Sequence, residues 1–194
     1  MKRKRKLEMP DLAQLEKELR RERYKYRYAS VLRSTVNALI VVAAFALLVA
    51  TLWMPVLQIY GGSMTPTLTE GEIVVCVRDF DFQRGDLIAF YVGNNLLVKR
   101  VIGEPGDQIS ITEDGTVYIN DKALDEPYTS EKSLGQCDLE FPFYVPKEQY
   151  FLIGDHRKTS VDSRASIVGC VAEEQIVGRI VFRVWPLENF GTVE

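Results

Sequence analysis

The sequence is poor in the side chains that most often carry chemistry. In 194 residues there is one histidine, His156, and three cysteines, Cys76, Cys137 and Cys170. No cysteine pair has C-x-x-C spacing, and with a single histidine the chain offers no ligand set for structural zinc. The cysteines leave two arrangements open, one disulfide with a spare thiol or three buried thiols. Charge is missing as well: residues 34–69 contain no Asp, Glu, Lys or Arg. Internal repeats and low-complexity tracts are absent, which excludes solenoids and linker-like chains. With 46% hydrophobic residues the chain is not a disordered polymer, and its length suits one core-forming domain with an appendage.

The charge-free stretch explains an uneven balance. Residues 1–33 hold 12 Lys and Arg against 5 Asp and Glu, a balance of +7, while the remainder holds 12 against 22, a balance of −10. Within the stretch, residues 36–54 (VNALIVVAAFALLVATLWM) have only Asn37 and Thr51 as polar side chains. At about 1.5 Å per residue they match the roughly 30 Å hydrocarbon core of a bilayer. Trp53 and Tyr60 stand where interfacial aromatics belong, and Pro55 marks the outer end.

The basic runs MKRKRK and RRERYKYRY precede the span, which predicts a cytoplasmic N-terminus and an external C-terminal domain. The long charged region, the long apolar run and the lack of an A-x-A site predict an uncleaved anchor rather than a removable signal. The expected division is a cytoplasmic basic segment at 1–33, a transmembrane anchor at 34–57 and an external domain at 58–194. From Pro10 and Asp11 onward, Leu12, Leu15 and Leu19 recur on one face. This predicts a helix against anionic headgroups, with a short coiled coil as the alternative.

Beyond the span the period changes to two. The runs EIVVCVR, DLIAFYV, LLVKRVI, DQISITE, TVYIN, QYFLIG and QIVGRIVFRV are rich in Val, Ile and aromatics and are bounded by Gly, Asn, Asp or Pro. They predict a mainly β domain, an antiparallel sheet or partial barrel. Asp114-Gly115 predicts a tight hairpin, and residues 123–149, with Pro127, Pro142 and Pro146, an irregular insertion. Gln83 to Leu87 reads QRGDL, where Gly85-Asp86 is what a turn before LIAFY needs.

The stretch YGGSMTPTL places Ser63 on a turn just after the membrane. Such a serine is either a turn former or a nucleophile, and a nucleophile needs a base. Two bases are available. His156, in GDHRKTSVDSR, would build a Ser63–His156–Asp162 triad. Lys99, in NNLLVKRVIGEPGD, shares one side of an apolar strand with Leu97 and Val101, opposite Leu96, Val98 and Arg100. Burial there would favour its neutral form, which can act as a general base. A lysine-arginine pair at a strand surface is the structural alternative.

Three segments in this order behind one span, GGSMTPTL, VKRVIGEPGD and GDHRKTSVDSR, resemble the bacterial type I signal peptidases, which use a Ser-Lys dyad. VPKEQYFLIGD and FRVWPL are similar to the same family. The resemblance implies Ser63 as nucleophile, Lys99 as general base, and Ser160 hydrogen-bonded to orient the lysine. It implies the Ser63 main-chain N–H as oxyanion donor. Met64, Leu68, Leu97 and Val98 would line pockets for small residues, and Asp155–Arg100 and Asp162–Arg164 would be structural ion pairs.

Two positions depart from the family pattern: Gly61 stands where many relatives have a serine donor, and His156 where asparagine is usual. The implied activity is removal of signal peptides after Ala-x-Ala sites, on the outer side of a bacterial cell membrane. Its partners would be signal peptides of exported preproteins and the lipid bilayer, with no nucleic acid, cofactor or metal. The repressor-type autoproteases share the dyad but carry a DNA-binding module, which an acidic external domain does not suit. An anchored binding domain that has lost catalysis is the remaining alternative.

Overall fold

The computed structural model describes residues 11–78 and 81–193. The MKRKRK cluster and Pro10 lie outside them. One helix, α1 (Leu12–Trp53), runs without a break from the charged segment through the apolar one. All its residues are exposed, and the helix is long and apolar enough to cross a membrane. The expected cytoplasmic helix and anchor are thus one continuous element in place of two. Pro55 accounts for the end, since it disfavours helical backbone at the residue before it. The helix ends before residue 57: Val56 and Leu57 belong to β1 (Val56–Gln58) and pair with Val75 and Val74.

Eleven more strands follow: β2 (Ile73–Val77), β3 (Leu87–Val92), β4 (Asn95–Gly103), β5 (Gln108–Ile111), β6 (Val117–Ile119), β7 (Lys122–Ala123), β8 (Phe143–Tyr144), β9 (Gln149–Ile153), β10 (Val171–Ala172), β11 (Ile176–Trp185) and β12 (Gly191–Thr192). They form a sheet in the order β1-β2-β11-β3-β4-β9-β10, with β12 also on β11, and a second sheet in the order β7-β6-β5-β8. Every pairing is antiparallel, so the expected mainly β fold is borne out. At the Asp-Gly hairpin only Gly115 takes a positive φ, +85°. Its N–H donates to the Thr112 carbonyl while the Thr112 N–H donates to Thr116, the longer hairpin loop closed by a left-handed glycine. In QRGDL, Gly85 has φ +98° and the Asp86 carboxylate accepts the Gln83 N–H, so the segment is the expected turn.

Alternation puts Leu87 and Ala89 of β3 into one apolar cluster with Ile59, Met64, Leu68, Val74, Cys76 and Ile180. Ile88 and Phe90 enter another with Val101, Tyr150 and Leu152. Both faces of the central strands are therefore covered. A third cluster joins Phe151 and Ile153 of β9 to Ile109, Ile111, Val117 and Ile119 of the second sheet. Leu87, Arg100 and Ile153 are register partners, so the first and third clusters share one sheet face with Arg100 between them. The 123–149 insertion is irregular as expected, with no strand or helix between Ala123 and Phe143. It supplies β8, which pairs with β5, and places Leu124, Tyr128, Leu134, Leu139, Phe141 and Phe143 against the third cluster.

Candidate active site

Residues 61–68 form a compact turn rather than an extended linker. The Thr65 N–H donates to Gly62 O and the Leu68 N–H to Met64 O. Met64 and Leu68 are buried in the first cluster, so two apolar side chains four residues apart plug the turn into the core. Gly61 takes φ +77°, open to glycine without strain. Ser63, half-buried, is left at the surface of this plug, and its carbonyl accepts the His156 N–H at 3.1 Å.

Lys99 faces it. β9 pairs with β4 only from Arg100↔Ile153 onward, so Lys99 sits where that ladder ends and the chain leaving β9 turns past it. Lys99 is 3% exposed, and its Nζ donates to Ser63 Oγ at 2.7 Å. Burial brings the lysine from its ordinary 10.5 down to about 8; the Asp162 and Asp155 carboxylates oppose this and the Arg164 guanidinium adds to it. The apolar strand thus delivers a lysine that is substantially neutral just above physiological pH.

The segment 154–164 is braced by buried charge. Arg100 grips Asp155 through two bonds of 2.9 and 2.8 Å, donates to Gly85 O, and lies 4.0 Å over the Tyr128 ring. Arg164 grips Asp162 at 2.8 and 2.9 Å, and Asp162 in turn accepts the Gly154 N–H. Both expected ion pairs form. A third was not anticipated: Arg157 pairs with Glu126 of the insertion, with both side chains enclosed. Nothing local in the sequence couples residues 31 positions apart. Glu126→Gln leaves the Arg157 charge uncompensated and is expected to destabilise the β domain by about 3 kcal/mol, measured by thermal unfolding.

Two expectations need correction. The Ser160–Lys99 hydrogen bond is not made: Ser160 is fully buried, and its Oγ has no partner among the described residues. Its hydroxyl is packed instead against Gly154, where an added Cβ would lie 2.2 Å from it. Leu68 does not line a pocket. It is 0% exposed inside the core, because its N–H bond to Met64 turns it inward. The cleft beside Ser63, about 80 Å³, is lined by Met64, Leu97 and Val98 as expected. Leu57, Gln58, Ile59, Tyr60 and Leu96, which sequence analysis missed, complete it. The clue was available in Leu57 and Ile59, which alternate on β1 and just beyond it, but β1 was merged with the anchor.

The triad through His156 is not assembled. His156 Nδ1 lies 2.8 Å from Thr159 Oγ1, and Asp162 is committed to Arg164 and Gly154. All three cysteines are free thiols, and burial pushes Cys76 and Cys170 up to about 12, so neither is a nucleophile at neutral pH. Among the described residues no group of three or more His, Cys, Asp or Glu side chains is placed to hold a metal.

The chain is similar to several known proteins. Residues 32–185 match the family described as signal peptidase, peptidase S26. A signal peptidase I of Streptococcus pneumoniae serotype 4 is 33% identical over 193 residues, covering 79% of this chain and 93% of the relative. A signal peptidase IB of Staphylococcus aureus strain COL is 37% identical over 153 residues, covering 68% and 78%. A crystal structure of a signal peptidase I from Enterococcus faecalis V583 has 31% identity and a TM-score of 0.43, covering 51% of this chain and 96% of that one.

Proposed function

The chain belongs to the signal peptidase family, peptidase S26, and on that premise we propose that it releases exported proteins from their signal peptides through a Ser63–Lys99 dyad. Membership makes it a hydrolase, a serine endopeptidase that cleaves signal peptides, and its apolar helix makes it membrane-anchored. The observation that carries the dyad is the 2.7 Å contact between Ser63 Oγ and the Nζ of an enclosed lysine.

With Lys99 neutral, the Ser63 hydroxyl donates to its lone pair and loses its proton to Nζ as Oγ attacks the scissile carbonyl. The tetrahedral oxyanion is met by the Ser63 N–H, a donor fixed by the turn. Gly61 contributes no hydroxyl, so any second donor is main chain, water or another group. The Lys99 ammonium then protonates the departing amine, leaving an acyl-enzyme on Ser63. Water, deprotonated by the same lysine, hydrolyses it.

The cleft beside Ser63 is walled by the apolar side chains Leu57, Ile59, Leu97 and Val98, which suits the small apolar residues of an Ala-x-Ala site. The basic segment 1–33 would stay in the cytoplasm and the β domain outside a bacterial membrane. A shared bilayer raises the effective concentration of enzyme and substrate and sets the cleft near the end of a signal helix. The test is cleavage of a preprotein bearing an Ala-x-Ala site in liposomes. Wild type should cut after the second alanine, with kcat/KM climbing to about pH 8 and levelling above it. Ser63→Ala should be inactive at every pH. Retained cleavage in Ser63→Ala, or a profile flat from pH 6 to 9, overturns the dyad.

A further inference from the structure

The strand β11 supplies a cationic side chain to the back of the nucleophile turn. Arg183 Nη2 donates to the carbonyl of Thr67 at 2.8 Å, and its Nη1 pairs with Glu72 Oε1 at 3.1 Å. Glu72 is 3% exposed and is tied to both ends of the turn. Its carbonyl accepts the Ile59 N–H before the turn, its N–H donates to Thr69 O after it, and Oε1 also accepts the Thr69 hydroxyl. On the other side of the same turn, the Thr67 hydroxyl meets Asp155 and Arg100, the neighbour of Lys99. Thr67 is therefore held from β11 through its carbonyl and from β4 and the segment after β9 through its hydroxyl.

The Glu72–Arg183 pair is a poor device for stability alone. Glu72 Oε2 and Arg183 Nε are buried with no hydrogen-bond partner among the described residues, and a buried pair with unsatisfied atoms recovers little of its desolvation penalty. What the pair does supply is a fixed distance between β11 and a turn whose Ser63 must meet Lys99 within hydrogen-bond reach.

We propose that Arg183, held by Glu72, is a positioning residue for the peptidase reaction: through the Thr67 carbonyl it sets the turn at the height where Ser63 Oγ meets Lys99 Nζ. This rests on the Ser63–Lys99 dyad. Neither residue touches the reacting atoms, so their effect falls on the rate of acylation and not on substrate binding.

The experiment uses the full chain in liposomes, comparing wild type with Arg183→Met, Arg183→Lys and Glu72→Gln by steady-state kinetics, single-turnover acylation and thermal unfolding. Displacement of a reacting group by about 1 Å can lower a rate about 100-fold. Arg183→Met is expected to lose kcat and the acylation rate on that scale with KM changed less than about threefold. Arg183→Lys, which can reach one acceptor but not both, should recover part of the loss. Glu72→Gln, isosteric and still able to accept from Arg183, should lie between wild type and Arg183→Met.

The proposal is overturned if folded Arg183→Met acylates at the wild-type rate, or if its loss vanishes on cooling below its unfolding transition. If Arg183→Met fails to fold, Arg183→Lys and Glu72→Gln decide, and wild-type acylation in both overturns it. Ser63→Ala and Lys99→Ala are run beside them. Activity in those two variants removes the dyad itself, whereas their inactivity together with normal Arg183 variants removes only this inference.

Discussion

Lys99→Met is expected to lower preprotein cleavage about 1,000-fold, the range lost with a general base, and at the same time to make the fold more stable at neutral pH. The two effects have one origin. Lys99 is enclosed at 3% exposure and its pKa falls from 10.5 in the unfolded chain to about 8 in the folded one. Between those values the unfolded chain holds the extra proton, so wild-type stability rises with pH from about 8 to about 10.5. Below pH 8 both states are protonated, and the native state carries a desolvated charge that costs on the order of 3 kcal/mol. Methionine fills similar space without the charge.

Thermal unfolding at pH 7 should therefore show the variant higher by several degrees. At pH 10.5 the difference should largely disappear. A variant that is less stable than wild type at pH 7, or that still cleaves with an unchanged pH profile, would show that Lys99 is an ordinary paired surface charge. The opposition of stability and activity at one residue is what a functional lysine in an apolar strand requires.

Gly154→Ala should be a damaging substitution, because a single methyl there meets the nucleophile turn. Gly154 needs no left-handed backbone; it is there for space. An added Cβ would lie 2.2 Å from Ser160 Oγ, 2.6 Å from Ser160 Cβ and 2.6 Å from the Ser63 carbonyl oxygen. The last of these is backbone of the nucleophile turn and cannot swing aside. Either the turn moves away from Lys99, or the segment after β9 moves and releases Asp155 and the His156 N–H. Both outcomes lower kcat by about 100-fold, and overpacking destabilises the domain by about 1–3 kcal/mol. Combining Gly154→Ala with Ser160→Gly removes the Ser160 contacts but not the backbone one, so activity should recover only in part. Kinetics of the single and double variants, with unfolding midpoints, decide it; full activity in Gly154→Ala would mean that the turn and the segment after β9 are not in contact during catalysis.

How much of this could be read before folding differs from element to element. Period-two runs of Val, Ile and aromatics marked β2 to β6, β9 and β11, because alternation on a pleated strand is a local property. The anchor was legible for a similar reason: a bilayer demands length and apolarity of one continuous segment. Ser63 and Lys99 were legible as candidates because each sits in a segment of unusual local character. β1, β7, β8, β10 and β12 were not, since they are strands of two or three residues outside any alternating run and exist only through their partners.

The sequence by itself determined an apolar segment long enough to cross a membrane, an antiparallel β domain and a serine and a lysine in the segments that resemble the family. Only the tertiary structure decided that Lys99 is enclosed beside Ser63, that Leu68 is core, that the Ser160 hydroxyl has no partner among the described residues, and that Glu126 pairs with Arg157 and Glu72 with Arg183. A side chain's burial and its partners depend on which surfaces close over it. That closure is a property of the assembled sheets, not of any stretch of chain.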